Sequence, residues 1–263
     1  MANTRDVLGE DATFDAIVDR SITSFEDDSI SSIGKGAFKD CANLTTVSFP
    51  EVNKINQYAF EGCSALTNVS FPKATSMDGY AFHNCTSLAV ISFPKLTSFL
   101  ESAFEGCTSL TSVSFSNDVT TINGSAFKGC TNLTTVSFPN VTSIGSQAFQ
   151  NCSSLTSISL PSATSIGRSA FNTCTNLTSV SLPSATSIGN YAFQTCSRLT
   201  SLVLGNESIV VTLSNTNAFV NTPIASGTGY IYVPASLVDS YKAANNWSTY
   251  ASQIKSIEEL PQE

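Results

Sequence analysis

The residues with the most potential for chemistry are eight cysteines, which recur at an almost constant spacing. They lie 22 residues apart, with a single interval of 23 between Cys107 and Cys130. Zinc sites take cysteines from close pairs such as C-x2-C, and no two cysteines here are that near. Evenly repeated cysteines instead predict a column of small, buried side chains that pack as hydrophobes. We therefore expect eight free thiols and neither a metal nor another cofactor. Stacked disulfides are the alternative, which a thiol count would detect.

An acid–base enzyme needs its acid, base or nucleophile in one pocket. The chain has a single histidine, His83. Two glutamates, Glu61 and Glu105, occupy equivalent positions two repeats apart, at about 10 Å, a separation near that of the carboxylates of inverting glycosidases. The same column also holds Lys39 and Lys128. This mixture favours solvated loop charges, and we predict that the chain is not an enzyme.

Composition and charge narrow the classes of partner. Of 263 residues, 12% are charged, about half the usual share, and 72 are serine or threonine. The net charge of −8 comes with no basic patch, which argues against nucleic acid as a ligand. No apolar run approaches the roughly 20 residues that span a bilayer, so we expect no membrane insertion. The first residues lack the apolar stretch of a signal peptide, so either the chain is not exported by that route or its signal has been removed.

The repeated unit reads C-x-x-L-x-x-V-x-F-P-x-a-x-x-I-G-x-x-A-F-x-G. Valine and phenylalanine two residues apart share one face, so L-x-x-V-x-F predicts a short strand that ends at the proline. The segment I-G-x-x-A-F is too short for a full α-helix and predicts a turn with a 3-10 or single helical turn. One unit of this length cannot bury enough apolar surface to be stable alone, so neighbouring units must stack.

This pattern resembles the BspA-like class of bacterial leucine-rich repeats, over about residues 22–234. The resemblance implies a leucine-rich repeat solenoid, a curved right-handed stack with a parallel β-sheet on its concave side, short turn or 3-10 segments opposite, and small helical caps. It also implies a non-enzymatic binding or adhesion module of a bacterial cell-surface or secreted protein. Its partner would be a protein or glycan on a host or neighbouring cell. The alternative is a structural or receptor-binding component of a phage or phage-like particle, for which a signal peptide is unnecessary.

Three regions are expected along the chain. Residues 1–30 form an N-terminal cap with a helix at 11–20, and residues 31–204 form eight units of the solenoid. Residues 205–263 contain a degenerate last repeat and a helical C-terminal cap. Within this cap, residues 230–234 predict a final strand and Ser236–Asp239 a capping box. Apolar residues then seal the open end of the core, namely Leu237, Tyr241, Ala244, Trp247, Tyr250 and Ile254. The repeated body shows no obvious stripe of residues for oligomerisation, so we expect a monomer.

Function must then lie on the surface. The outward positions of the predicted strands carry mostly hydroxyls, with tyrosines at one end. The candidate binding residues on this concave face and in the C-terminal strand are Thr46, Ser48, Asn68, Val90, Ser112, Thr135, Val203, Tyr230 and Tyr232. The alternative is that small residues merely suit a tightly stacked sheet. A partner could equally bind the loop edge, where the more varied side chains are Tyr58, Tyr80, His83, Arg168, Tyr191 and Arg198.

Overall fold

The computed structural model describes residues 20–261, and the helix predicted for residues 11–20 lies outside them apart from Arg20. The described residues form a leucine-rich repeat solenoid of parallel strands with about eleven turns. Each turn of the solenoid, called a coil below, pairs with the next coil at an offset of about 22 residues. For example, Phe25 pairs with Val47, and Val47 pairs with Val69. The predicted fold class is therefore confirmed.

The L-x-x-V-x-F segments form one series of strands, the front strands. They pair in parallel in three successive ladders, and one coil contributes only a bridge between Ser112 and Thr135. Their bounds are Ser24–Glu26, Thr46–Ser48, Asn68–Ser70, Val90–Phe93, Ser112–Phe115, Ser157–Ser159, Ser179–Ser181, Ser201–Val203, Tyr230–Val233 and Ile254–Ser256.

A second series of two-residue strands, the back strands, was not expected from the sequence. Each consists of a polar residue and the buried apolar residue of the I-G position. They pair in parallel in two ladders, as Ile144 does with Ile166, and the first ladder ends at Ser98–Phe99. They are Ser32–Ile33, Lys54–Ile55, Ser76–Met77, Ser98–Phe99, Thr121–Ile122, Ser143–Ile144, Ser165–Ile166, Ser187–Ile188 and Thr212–Leu213.

The predicted turn segment around each Ala-Phe pair is a chain of β-turns, and a 3-10 helix replaces it only at Thr216–Phe219 among the described residues. Alternate amides bond within the coil and to the next coil. Cys41 N donates to Phe38 O at 3.1 Å, whereas Phe38 N donates to Ala59 O at 2.7 Å. With this alternating hydrogen-bond pattern, the backbone is left-handed at the residue before the Ala-Phe pair and at the residue before the cysteine. Examples are Tyr58, with a φ of 61°, and Gly62, with a φ of 74°.

Two ladders of aromatic rings fill the core between the strands. The Ala-Phe phenylalanines stack from coil to coil through the whole solenoid. Phe104, for example, lies 5.6 Å from Phe82 and 5.5 Å from Phe127, measured between ring centroids. A second ladder runs through the phenylalanines that end the front strands, as far as Phe138, and leucines continue it from Leu160. Apart from the partly buried Phe115, these rings are buried, so they supply much of the apolar burial that stabilises the fold.

The cysteines form a column beside the first ladder. All eight are buried, as predicted. Each cysteine from Cys63 to Cys196 donates its S–H to the carbonyl of the phenylalanine 25 or 26 residues earlier, at 3.0 to 3.2 Å. Burial raises the pKa of Cys107 and Cys196 to about 12. The same cause raises the pKa of Cys85, Cys130, Cys152 and Cys174 well above the ordinary value.

The C-terminal cap closes the core with the predicted aromatic residues. Tyr241, Trp247 and Tyr250 are all buried, and the Trp247 ring lies 6.1 Å from Phe219, the last ring of the ladder. Trp247 Nε1 donates to Val211 O at 2.6 Å. The front strand Tyr230–Val233 is present as predicted, and the chain then adds a further parallel strand, Ile254–Ser256, at the edge of the sheet. The cap therefore both covers the apolar core and continues the sheet by one strand.

The capping box predicted at Ser236–Asp239 is wrong. The chain forms a 3-10 turn over Ala235–Leu237 directly after Pro234, so Ser236 lies inside a helical turn rather than before one. The short helix Val238–Ala243 then begins without a side-chain cap. A capping box does form further on, where Ser256 and Glu259 exchange hydrogen bonds around the 3-10 turn Ile257–Glu259.

Removing one ring from the first ladder should weaken the whole stack. We expect Phe104→Ala to lower the free energy of unfolding by about 3–5 kcal/mol, because it deletes a fully buried ring and leaves a cavity. Phe138→Leu is the matched control, since its own ladder already carries leucine in later coils, and it should cost less than about 1.5 kcal/mol. Urea midpoints measured by circular dichroism compare the two variants. Equal losses would contradict the importance of the ring stack.

The cysteine column predicts a steep loss of stability at alkaline pH. Burial keeps the native thiols protonated, whereas thiols of the unfolded chain ionise near the ordinary pKa of 9.0. Above that pH the unfolded state binds fewer protons, so stability falls as pH rises, by up to about 1.4 kcal/mol per thiol per pH unit. Urea midpoints at pH 7.5, 9 and 10 measure the fall.

Two controls belong to this measurement. The double variant Cys107→Ala, Cys152→Ala should show a shallower dependence on pH, because two of the ionising groups are gone. A thiol assay in denaturant should count eight reactive groups per chain. A urea midpoint that stays constant to pH 10 would contradict the effect of burial, and a count near zero would restore the disulfide alternative.

The cap should be needed for solubility. We expect deletion of residues 235–263 to cause aggregation, because it exposes Phe219 and leaves the strand Tyr230–Val233 as an open edge. Light scattering after size-exclusion chromatography detects the aggregates. The point variant Lys242→Ala, at an exposed position of the same cap, is the control and should stay monomeric. A monomeric truncated chain would refute the capping role.

Candidate binding surface

The outward side chains of the front strands form a continuous surface, the front face. It has two columns of side chains, which lie five and seven residues after each cysteine. Strand pairing places Thr46 beside Asn68, Val90 beside Ser112, and Ser112 beside Thr135, all in the first column. The candidates Ser48 and Val203 belong to the second column. The front face therefore brings the candidate residues into two ordered rows along the solenoid.

A groove of about 520 Å³, the N-terminal groove, runs across the first half of this face. Val90 is exposed to 57%, the most of the exposed large hydrophobic residues. Asn68–Ser70 ends one strand ladder and Val90–Phe93 begins the next, so the groove lies at an interruption of the pairing. The groove is lined by Thr46, Val47, Ser48, Thr67, Asn68, Val69, Ser70, Ser87, Ala89, Val90 and Ser92.

The row of threonines beside the face is also interrupted at this point. In most coils the fourth residue after the cysteine is a threonine whose hydroxyl donates to the preceding coil, as Thr67 Oγ1 does to Thr45 O at 3.1 Å. Ala89 occupies this position in the groove and has no hydroxyl to donate. The hydroxyls at this position therefore serve the stack.

A second groove, the C-terminal groove, has a volume of about 410 Å³ and lies on the same two columns. Its walls include residues of the chain's own C-terminal segment, Leu260 and Pro261. This return of the chain onto the face was not predicted, because no repeat or motif in the sequence signals it. The groove is lined by Ser157, Ile158, Ser179, Val180, Ser181, Ser201, Val203, Leu260 and Pro261.

The two candidate tyrosines differ in accessibility. Tyr230 and Tyr232 lie together, with ring centroids 6.3 Å apart. Tyr232 keeps only 5% of its surface exposed, because the strand Ile254–Ser256 continues the sheet beside it. Tyr230 is half-buried, and Lys255 Nζ lies 3.9 Å from the centroid of its ring. The aromatic pair is therefore largely covered by the cap, and only Tyr230 keeps an accessible part.

The charged column on the turn edge is linked from coil to coil. Lys39 Nζ lies 2.6 Å from Glu61 Oε2, and His83 Nδ1 lies 3.4 Å from Glu61 Oε1. Lys128 Nζ lies 3.0 Å from Glu105 Oε1. Each glutamate therefore acts as the partner of a cation in a neighbouring coil.

The tyrosines of the turn edge also contact one another. The rings of Tyr58 and Tyr80 lie 5.2 Å apart, and Lys39 Nζ lies 5.1 Å from the Tyr58 centroid. Farther along the edge, Arg168 lies over the Tyr191 ring at 5.7 Å. The edge candidates thus form two separate small clusters that pack on their neighbours, whereas the front face offers grooves.

Within residues 20–261, histidine, cysteine, aspartate and glutamate side chains do not gather into a group of three or more that could hold a metal ion. None of the helices in this part of the chain is both long and apolar enough to cross a membrane.

Comparisons with known sequences agree with this architecture. The pattern described as a BspA type leucine rich repeat region matches residues 15–134 and 120–237, in six copies. No curated protein sequence matches the chain.

Several solved bacterial structures are similar to the chain. A leucine rich repeat protein of T. pallidum is 27% identical, over 67% of this chain and 78% of that protein, with a TM-score of 0.49. A leucine rich cell surface protein of Faecalibacterium prausnitzii is 22% identical, over 89% of this chain and 78% of that protein, with a TM-score of 0.45. The pneumococcal vaccine antigen PcpA is 15% identical, over 90% of this chain and 66% of that protein, with a TM-score of 0.50, and shares the fold.

Proposed function

The chain belongs to the family of BspA-type leucine-rich repeat proteins, and we propose that it is a non-enzymatic module that binds another protein through its front face. Bacterial proteins with these repeats are generally protein-binding or adhesion modules. The observation that carries the proposal is the N-terminal groove, an open groove of about 520 Å³ on an almost uncharged sheet surface. Adhesion at a bacterial cell surface, to a host or neighbouring cell, is the proposed setting.

The lining of the groove favours a protein over a glycan. Val90 is exposed to 57%, and Val47, Val69 and Ala89 also line the groove. An exposed apolar patch with a polar rim is typical of protein-binding sites. Serine, threonine and asparagine side chains around the apolar patch can bond to a partner's main chain. The groove contains no aromatic ring, so it lacks the large flat apolar surface on which a sugar ring could lie.

The charges of the front face lie mainly at its two ends, which also suits a protein partner. Glu26 pairs with Ser48 at the first end, and Lys255 pairs with Tyr232 at the last. Between them the outward positions are hydroxyl, amide or aliphatic side chains. Such a face contributes hydrogen bonds and apolar contacts at its centre, while the end charges orient the partner.

Binding of labelled chain to intact cells tests the proposal. We expect saturable binding that trypsin treatment of the cells abolishes and glycosidase treatment leaves intact. Val90→Arg should weaken it at least 10-fold, since a buried charge at the centre of an interface costs about 2 kcal/mol or more. Ile209→Arg is the matched control, because Ile209 is an exposed aliphatic residue in the loop after the strand Ser201–Val203 and should change nothing.

The opposite results are equally clear. Binding that glycosidases abolish would assign a glycan partner. Binding that survives Val90→Arg but is lost in the double variant Tyr58→Ala, Tyr80→Ala would move the site to the turn edge. An antibody against the chain should also label intact bacterial cells, and a signal confined to the cytosol would refute adhesion at the surface.

A further inference from the structure

The C-terminal segment of the chain shows what the front face can hold. After the strand Ile254–Ser256, the 3-10 turn Ile257–Glu259 turns the chain back, and Leu260 leaves it with an extended backbone, φ −63° and ψ 125°. Leu260 and Pro261 then line the C-terminal groove together with Ser179 and Val203. An extended segment with an aliphatic side chain thus lies on the hydroxyl-rich columns of the face.

The charge of this segment is complementary to its end of the face. Lys255 ends the second column, in register with Tyr232, and its Nζ lies 4.0 Å from Glu259 of the segment. Glu258, also exposed, adds a second negative charge. An acidic, aliphatic segment therefore occupies the basic end. The exposed ion pair between Lys255 and Glu259 contributes little binding energy by itself, but it places a negative charge of the segment beside the positive charge of the face.

The N-terminal groove lies on the same two columns at the opposite, acidic end. The second column begins at Glu26, which pairs with Ser48, and Ser48 pairs with Ser70. Glu26 and Asp28 are exposed, and with Asp27 and Ser48 they line a pocket of about 470 Å³ that shares Ser48 with the groove. Val90, on the other side of the groove, offers an aliphatic surface like that of Val203. The two grooves thus share a lining of hydroxyl and aliphatic side chains and differ in the sign of the adjacent charge.

We propose that the N-terminal groove binds an extended peptide segment of a partner protein, with an aliphatic residue over Val90 and a basic residue near Glu26 and Asp28. Three strand spacings separate the coils of Val90 and Glu26, about 14 Å, which an extended peptide spans in four or five residues. The segment is the charge-reversed counterpart of the chain's own C-terminal segment. This inference rests on the proposed function and specifies the partner's chemistry.

Two synthetic peptides test the inference on the full chain. The basic probe is Lys-Ser-Ile-Gln-Gln-Leu-Pro, which is the segment 255–261 with Glu258→Gln and Glu259→Gln. The acidic probe is Gln-Ser-Ile-Glu-Glu-Leu-Pro, the same segment with Lys255→Gln. Both are acetylated, amidated and fluorescently labelled, and binding is followed by fluorescence anisotropy. We expect the basic probe to bind at least 10-fold more tightly than the acidic one at low salt, with the difference shrinking as salt rises.

Variants of the chain separate the contribution of apolar contacts to peptide binding from the contribution of charge. Val90→Ser should weaken binding of the basic probe at least 10-fold, whereas the matched variant Ile209→Ser should leave the affinity for this probe unchanged. The double variant Glu26→Gln, Asp28→Asn should remove the preference for the basic probe while both probes still bind. Thermal melting confirms that each variant is folded before its affinity is interpreted.

Three results would overturn the inference: no saturable binding of either probe, binding that Val90→Ser does not weaken, or tighter binding of the acidic probe. Failure of this inference can be distinguished from failure of the proposed function by the cell-binding experiment. If neither probe binds while cell binding of the full chain is still lost in Val90→Arg, the face binds a protein but not a segment of this chemistry. If cell binding itself is absent or insensitive to Val90→Arg, the proposed function fails.

Discussion

One contact between neighbouring coils holds the rest of the structure in place: the carbonyl of the Ala-Phe phenylalanine accepts two hydrogen bonds. Phe38 O, for example, accepts from Cys41 N of its own coil at 3.1 Å and from Cys63 Sγ of the next at 3.0 Å. A buried carbonyl with an unfilled bonding position costs free energy, and a cysteine fills it with a small, weak donor that is otherwise apolar. The S–H of the cysteine thus completes the hydrogen bonding of the turn while the rest of the side chain packs as an apolar group.

The same contact explains why the repeat length hardly varies. Each coil bonds to the next through the turn amides, the threonine hydroxyls and the front strands, all at nearly the same offset, so an added residue must fall where none of these is disturbed. The one longer interval places its extra residue in the turn between Ser116 and Val119, where Asp118 N donates to Ser116 Oγ at 3.1 Å. Variation for function is confined in the same way, to the two outward columns and the turn edge.

The parts of the structure that were predictable are those whose signal lies within one unit. The alternation in L-x-x-V-x-F predicts the front strands, and the even spacing of the cysteines predicts their burial. The back strands escaped prediction because two residues are too few for a periodic signal. The solenoid also has more coils than the eight or nine units visible in the sequence, since Ser24–Glu26 and Ile254–Ser256 pair as front strands without the cysteine motif.

The candidate surface was predictable only in part, for a related reason. The outward columns follow from the alternation of the strands, so Asn68 and Val90 could be placed on the face. The covering of Tyr232 depends on residues 254–261, which reach the face through a turn that no repeat predicts. Contacts set by a single long-range return of the chain leave no periodic trace in the sequence, whereas contacts between successive coils are repeated and become visible.

The distribution of charge indicates how such a face could distinguish partners. Most charges of the body cancel between adjacent coils, as Glu51 and Lys73 do at 2.6 Å and Lys54 and Asp78 at 3.5 Å. Paired charges of this kind produce only a weak field at a distance. What a partner meets along the front face is then set by its shape, by hydroxyls that accept or donate equally, and by unlike charges at the two ends. A uniform row of hydroxyls cannot define a direction along the solenoid, so the charges at Glu26 and Lys255 are the features that make one orientation of a bound segment more favourable than its reverse.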